Sequence, residues 1–146
     1  MNTTFDESIG LQSSQMNKKM LRFLNHSLEW YEITLEQWVV LSTLAEQENI
    51  NQKTLSDKSG KDPASLLRIL DILERKGLVE RRADKTDRRA SSLFITAKGR
   101  NLKSELAPYI EERFKEITSG IPEHDIEIYE RVLKKLDANL ERLLAK

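Results

Sequence analysis

Residues 80–91 read ERRADKTDRRAS, so two arginine pairs, Arg81–Arg82 and Arg88–Arg89, bracket a hydrophilic run that holds Asp84, Lys85, Thr86 and Asp87. Guanidinium groups are planar, permanently charged donors that match phosphate oxygens, and they are drawn into the narrow, negative minor groove of A·T-rich DNA. The chain as a whole does not share this charge, because 24 Lys and Arg balance 24 Asp and Glu. The balance is uneven along the chain. Residues 51–100 carry thirteen basic against seven acidic residues, whereas the two flanking arms carry eleven against seventeen. A neutral total thus hides a basic centre, the electrostatic footprint expected of a polyanion binder.

Other chemistry is poorly supported. There is no cysteine, which excludes disulfides, thiolate metal sites and cysteine nucleophiles. The two histidines, His26 and His124, lie on opposite arms. No metal-binding HExxH, nucleophile elbow, dinucleotide-binding glycine pattern or P-loop occurs. The carboxylates of Glu111–Glu112 and of residues 123–130 read as solvated helix faces. The expectation is therefore no enzyme, no catalytic residues, no metal and no cofactor. The apolar runs are too short to span a membrane, and MNTTFDESIG lacks the basic and apolar regions of a secretory signal. A cytoplasmic location is expected.

The elements that must position the arginines follow from periodicity and caps. Met16, Met20, Phe23, Leu24 and Leu28 recur at helical spacing and predict a helix over 8–29. Thr34, with Gln37 three residues on, predicts a capping box for a helix carrying Trp38, Val39, Leu41 and Leu44. Asn51 can cap a short helix around Leu55, and Gly60 can end it in the left-handed conformation. Asp62 caps the next helix, with Pro63 at its first position, where a missing N–H costs nothing. Leu66, Ile69, Leu70 and Leu73 form its buried stripe, and Gly77 closes it. Strands are predicted at 78–82 and 92–95 around the arginine-rich turn. Thr96 caps a helix faced by Leu102, Leu106, Ile110, Phe114 and Ile117, which Gly120 and Pro122 interrupt. The last helix carries Ile126, Tyr129, Leu133, Leu136, Leu140 and Leu143, alternating steps of three and four that make a heptad seam. Helix-turn-helix followed by a hairpin is a winged helix, and the arginines are its wing.

At this point the sequence resembles the MarR family of bacterial transcription regulators, over nearly its whole length. The most specific part runs from Leu55 to Gly99, through DPASLLRILDILERKGLVERR, the wing signature Asp87-Arg88-Arg89 and the following Ile95-Thr96-Ala97-Lys98-Gly99, with Ile where the family has Leu. The resemblance implies a mainly α fold with a small β-hairpin wing, a winged helix-turn-helix joined to a helical dimerisation region formed by both chain ends. Residues 1–33 and 99–146 would then serve dimerisation and residues 34–98 DNA binding. Two departures stand out. Ala64 and Leu67 occupy positions where the family more often has small polar residues, which weakens any copied base code and shifts weight toward methyl contacts.

In a winged helix-turn-helix the second helix enters the major groove, N-terminal residues nearest the bases. The outward arc here holds Lys61, Ala64, Ser65 and Arg68. Ser65 can bond a base edge, Ala64 can touch a thymine methyl, and Arg68 can reach phosphate or guanine. Arg88 or Arg89 is expected in the minor groove and Arg82 near phosphate, while Asp87, as the resemblance implies, holds a wing arginine in place. Lys53 and Thr54 can add phosphate contacts near a helix N-terminus. Dimerisation is expected through Tyr129, Leu133, Leu136, Leu140 and Leu143 with Met16, Met20 and Phe23 of the first helix. The resemblance also implies a small aromatic or phenolic effector, for which Arg22, His26, Trp30, Tyr31 and Trp38 are candidate ligands. The absence of cysteine removes the peroxide-sensing thiol of one family branch.

The reading is a homodimeric, sequence-specific double-stranded DNA-binding regulator, a repressor on a pseudo-palindromic operator. A winged protein-interaction module without DNA readout is the alternative, which neutral charge and Leu67 would suit. An RNA binder would need exposed stacking aromatics, and the basic segment offers only Phe94.

Overall fold

The computed structural model describes residues 9–83 and 91–146. Its elements are α1 (Leu11–Leu28), a 3-10 turn (Glu29–Tyr31), α2 (Leu35–Glu46), α3 (Gln52–Ser59), α4 (Pro63–Arg75), β1 (Val79–Ala83), β2 (Ser91–Ile95), α5 (Ala97–Ile117) and α6 (Glu123–Leu144). The fold is mainly helical with one antiparallel hairpin, as the sequence pattern predicts. Contacts divide the chain into two compact units, residues 1–113 and 114–146, the division falling inside α5.

Side-chain caps explain where α2, α3 and α4 begin. Thr34 accepts from the Gln37 N–H at 3.1 Å while Gln37 Oε1 accepts from the Thr34 N–H at 3.2 Å, a reciprocal capping box. Asn51 Oδ1 accepts from Thr54 N–H at 2.8 Å and starts α3. Gly60 ends it at φ +70°, in the left-handed region that a side chain would disfavour. Asp62 and Pro63 then start α4 two residues later. Local chemistry thus fixes the tight turn between the two helices.

Leu41, Leu44, Leu55, Leu66, Leu70, Leu73, Leu93 and Leu106 are fully buried in the core of the first unit. Each such leucine contributes about 2 kcal/mol of burial free energy. Leu24 and Leu28 of α1 are buried as well, but Met16 and Phe23 are exposed, so the α1 stripe is split between interior and surface. The predicted helix over 8–29 is described from Leu11 to Leu28. The hairpin pairs Val79 with Ile95, Arg81 with Leu93 and Ala83 with Ser91. A backbone bridge from Ile50 to Leu93 adds a contact that the sequence pattern does not announce.

In the second unit, α6 has no buried residue. Tyr129, Leu133, Leu140 and Leu143 are exposed, and Leu136 is half-buried. No described helix is long and apolar enough to cross a membrane.

Candidate nucleic-acid interface

The α4 helix presents its buried stripe, Leu66, Ile69, Leu70 and Leu73, to the core. That leaves Ala64, Leu67 and Arg68 exposed along its N-terminal half, with Ser65 half-buried. Ser65 N–H donates to Asp62 Oδ2 at 3.1 Å. The Ser65 hydroxyl, and then its N–H, hold the Asp62 carboxyl below the usual carboxylate range. Arg68 makes no ion pair with a described residue. Lys61 is drawn elsewhere: its Nζ lies 3.4 Å from Glu36 Oε1 of α2.

The Asp62 cap gives a pH-dependent prediction. Its folded pKa is depressed, so its charge contributes stability above the unfolded pKa, and this is lost as pH falls through the folded value. Asp62→Ala should therefore lower the melting temperature at pH 7. The gap between the two proteins should narrow as the acid is titrated in a series of thermal melts. A gap that stays constant down to pH 2 would contradict the cap's role.

The wing stem separates its two described arginines by the alternation of a strand. Arg81 shares the face of Val79 and is directed to α4, where Nη2 lies 2.7 Å from Asp71 Oδ1 and Nε 3.7 Å from Glu74 Oε2. It braces the wing against the helix instead of facing outward, and its side chain is only 25% exposed. Arg82, on the other face, lies 4.0 Å above the Phe94 ring and 3.3 Å from Glu80 Oε1. Stacking on Phe94 and a second donation, from Nη2 to Glu80 Oε2 at 3.4 Å, hold that guanidinium at the hairpin surface. Arg88, Arg89 and Asp87 lie outside the described residues.

Behind the wing, Thr96 caps α5 by accepting from Gly99 N–H at 3.0 Å, and its hydroxyl donates to the Gly77 carbonyl at 2.6 Å. Glu48 accepts from Ile95 N–H at 3.3 Å and pairs with Arg100. These contacts join the loop before α3, strand β2 and the start of α5. On the opposite flank, Lys53 is exposed near the start of α3, while the Thr54 N–H is already satisfied by Asn51.

Residues 33–91, which contain α2, α3, α4 and β1, match the sequence model of the MarR family. A mutant MarR from E. coli, solved in complex with operator DNA, is 28% identical, with 92% of this chain and 99% of that chain covered and a TM-score of 0.82. Segment 33–91 of the chain belongs to the MarR family. A MarR-family transcriptional regulator from Rhodococcus sp. RHA1 is 25% identical, with 92% and 96% coverage and a TM-score of 0.80. CouR from Rhodococcus jostii RHA1, bound to p-coumaroyl-CoA, is 26% identical, with 92% and 95% coverage and a TM-score of 0.78. MarR proteins are DNA-binding transcription regulators, not enzymes, and this chain falls in that class.

Within this MarR fold, a cavity of about 380 Å³ opens beside Tyr31. Ile33, Leu78 and Leu102 supply apolar walls, and Glu32, Lys76, Lys98 and Glu105 the charged ones. Lys76 Nζ donates to the Glu32 carbonyl, and Lys98 Nζ to the Lys76 carbonyl at 2.8 Å. Of the aromatic and basic residues that the sequence offers for an effector, only Tyr31 lines this cavity. Trp38 is in the core at 9% exposure, whereas Trp30 stands 89% exposed. Arg22 and His26 are exposed on α1, with His26 Nδ1 3.4 Å from Glu29 Oε1.

Proposed function

We propose that the chain is a cytoplasmic repressor that binds a pseudo-palindromic double-stranded operator as a homodimer and leaves it when a small aromatic or phenolic ligand binds. The observation that carries this reading is the pairing of an open, capped α4 N-terminal half with the outward Arg82 of the wing stem. Ala64, Ser65 and Arg68 would read or approach the bases. Arg82, Lys53, Thr54 and Lys61 would approach phosphate, with Lys61 first releasing Glu36. Arg88 or Arg89 would enter the minor groove, held by Asp87. Dimerisation would use residues 1–33 and 99–146, chiefly Met16, Met20, Phe23 and the α6 seam, leaving 34–98 as the DNA-binding part. Repression follows from covering the promoter.

An effector must have different affinities for the DNA-competent and incompetent dimers, or it shifts nothing. The CouR complex with p-coumaroyl-CoA supports an aromatic ligand for this chain. Tyr31 and the cavity beside it are the first place to look.

In-vitro selection from randomised duplex DNA at about 150 mM salt, where non-specific binding is weak, tests the reading. Enrichment of an inverted repeat with half-sites about 10 bp apart is expected. If roughly eight phosphates are neutralised, log K should fall against log salt with a slope near −7. Arg68→Ala should weaken the selected operator by about 100-fold, a tenfold loss in each half-site. Failure of folded protein to enrich any sequence would refute DNA readout and favour a protein-interaction module.

A further inference from the structure

We propose that Leu67 is a specificity residue that reads the C5-methyl group of a thymine in the major groove. This rests on α4 entering that groove, as proposed above. Leu67 is 44% exposed, although the helix it belongs to buries Leu66, Ile69, Leu70 and Leu73. At 100° per residue it lies on the flank of the outward arc, in the row Leu67, Asp71, Glu74. Asp71 and Glu74 are the carboxylates that hold Arg81 of the wing stem. Leu67 therefore occupies the wing side of α4, one turn nearer its N-terminus than the Arg81 brace.

Ala64, three residues earlier, is exposed on the same half of the helix, and Arg68 follows immediately. Together Ala64 and Leu67 put an apolar patch where the neighbouring residues are polar or charged. A leucine can neither donate to nor accept from a base edge. Among the groups that base pairs display in the major groove, the thymine methyl is the apolar one. Desolvating a methyl against a leucine is favourable, whereas setting Leu67 against the cytosine amino group would strip that donor of water without replacing it. The buried stripe of Leu66, Ile69, Leu70 and Leu73 and the Arg81 brace fix the azimuth of α4, so Leu67 meets the same base step in each half-site.

The test uses the selected operator with each thymine replaced, symmetrically in both half-sites, by deoxyuridine, which lacks only the C5-methyl group. The wild-type dimer should lose affinity by about fifteenfold at one such thymine pair, a factor of about four for each methyl. Leu67→Ala should bind the unmodified operator with a similar loss and show no further loss at that pair. Its melting temperature should match that of the wild type, because the side chain is not part of the core. Wild-type indifference to deoxyuridine at every position, with operator binding intact, overturns this inference alone. An equal deoxyuridine penalty in Leu67→Ala also overturns it and assigns the methyl to another side chain. Absence of any sequence-specific binding overturns the DNA reading of α4 and this inference with it.

Discussion

Gly99→Ala is expected to destabilise the winged unit by about 3 kcal/mol or to prevent its folding, the upper range for overpacking a core. A Cβ at this position would overlap the Leu78 carbonyl oxygen and sit 2.7 Å from Ile95 Cγ1. Neither neighbour can withdraw cheaply. The Leu78 carbonyl accepts from Thr96 N–H at 3.1 Å, and Leu78 N–H donates to Leu73 O at 2.9 Å, so moving it breaks the junction of α4, β1 and α5. Ile95 is buried at the end of β2 and paired with Val79. Gly99 N–H also donates to the Thr96 hydroxyl, so tilting α5 away would cost its cap. Urea denaturation should show the loss as a lower midpoint, and thermal melting as a fall of about 10 °C or more. An unchanged midpoint would show that the close approach of α5 to the wing stem is wrongly placed. Operator binding should fall with the folded fraction, unlike the loss expected for Arg68→Ala, which leaves stability intact.

The starts of α2, α3 and α4 were legible because caps are local. Thr34 with Gln37, Asn51, and Asp62 with Pro63 each act on N–H groups within three residues, and all are found as the sequence implies. The two strands were legible as well, expected at 78–82 and 92–95 and found at Val79–Ala83 and Ser91–Ile95, whereas their pairing register comes from the fold. Contacts between distant segments were not. Nothing near Ile50 announces its bridge to Leu93, and nothing near Glu48 announces Ile95 and Arg100. Composition also could not say which way an aromatic faces. Trp30 and Trp38 lie eight residues apart, yet one stands in solvent on the 3-10 turn and the other packs inside α2. Arg81 and Arg82 form an intermediate case. Strand alternation puts Arg81 on the core side with Val79, but only the fold reveals that Asp71 and Glu74 are waiting there.

Placing glutamate at both Leu133 and Leu140 should convert the protein to a monomer and reduce operator affinity by about 10²- to 10⁴-fold. Both side chains are exposed in the single chain, and every buried apolar residue lies at or before Ile110, so the core closes without α6. The substitutions therefore act on assembly and leave the fold of the winged unit in place. In a twofold-symmetric seam both substitutions occur on each subunit, so carboxylates from the two copies would be stripped of water in a formerly apolar contact. Separating the subunits abolishes the effective concentration that lets the second half-site bind after the first, which is worth the stated factor without any change in the DNA contacts themselves. Affinity for a single half-site should consequently stay the same, and the salt slope should fall from near −7 to about half that value. Light scattering gives the mass, and a titration of full and half operators gives the two affinities. A variant that remains dimeric would remove the α6 seam from the interface. A monomer that keeps full operator affinity would instead refute the pairing of two recognition helices on one site.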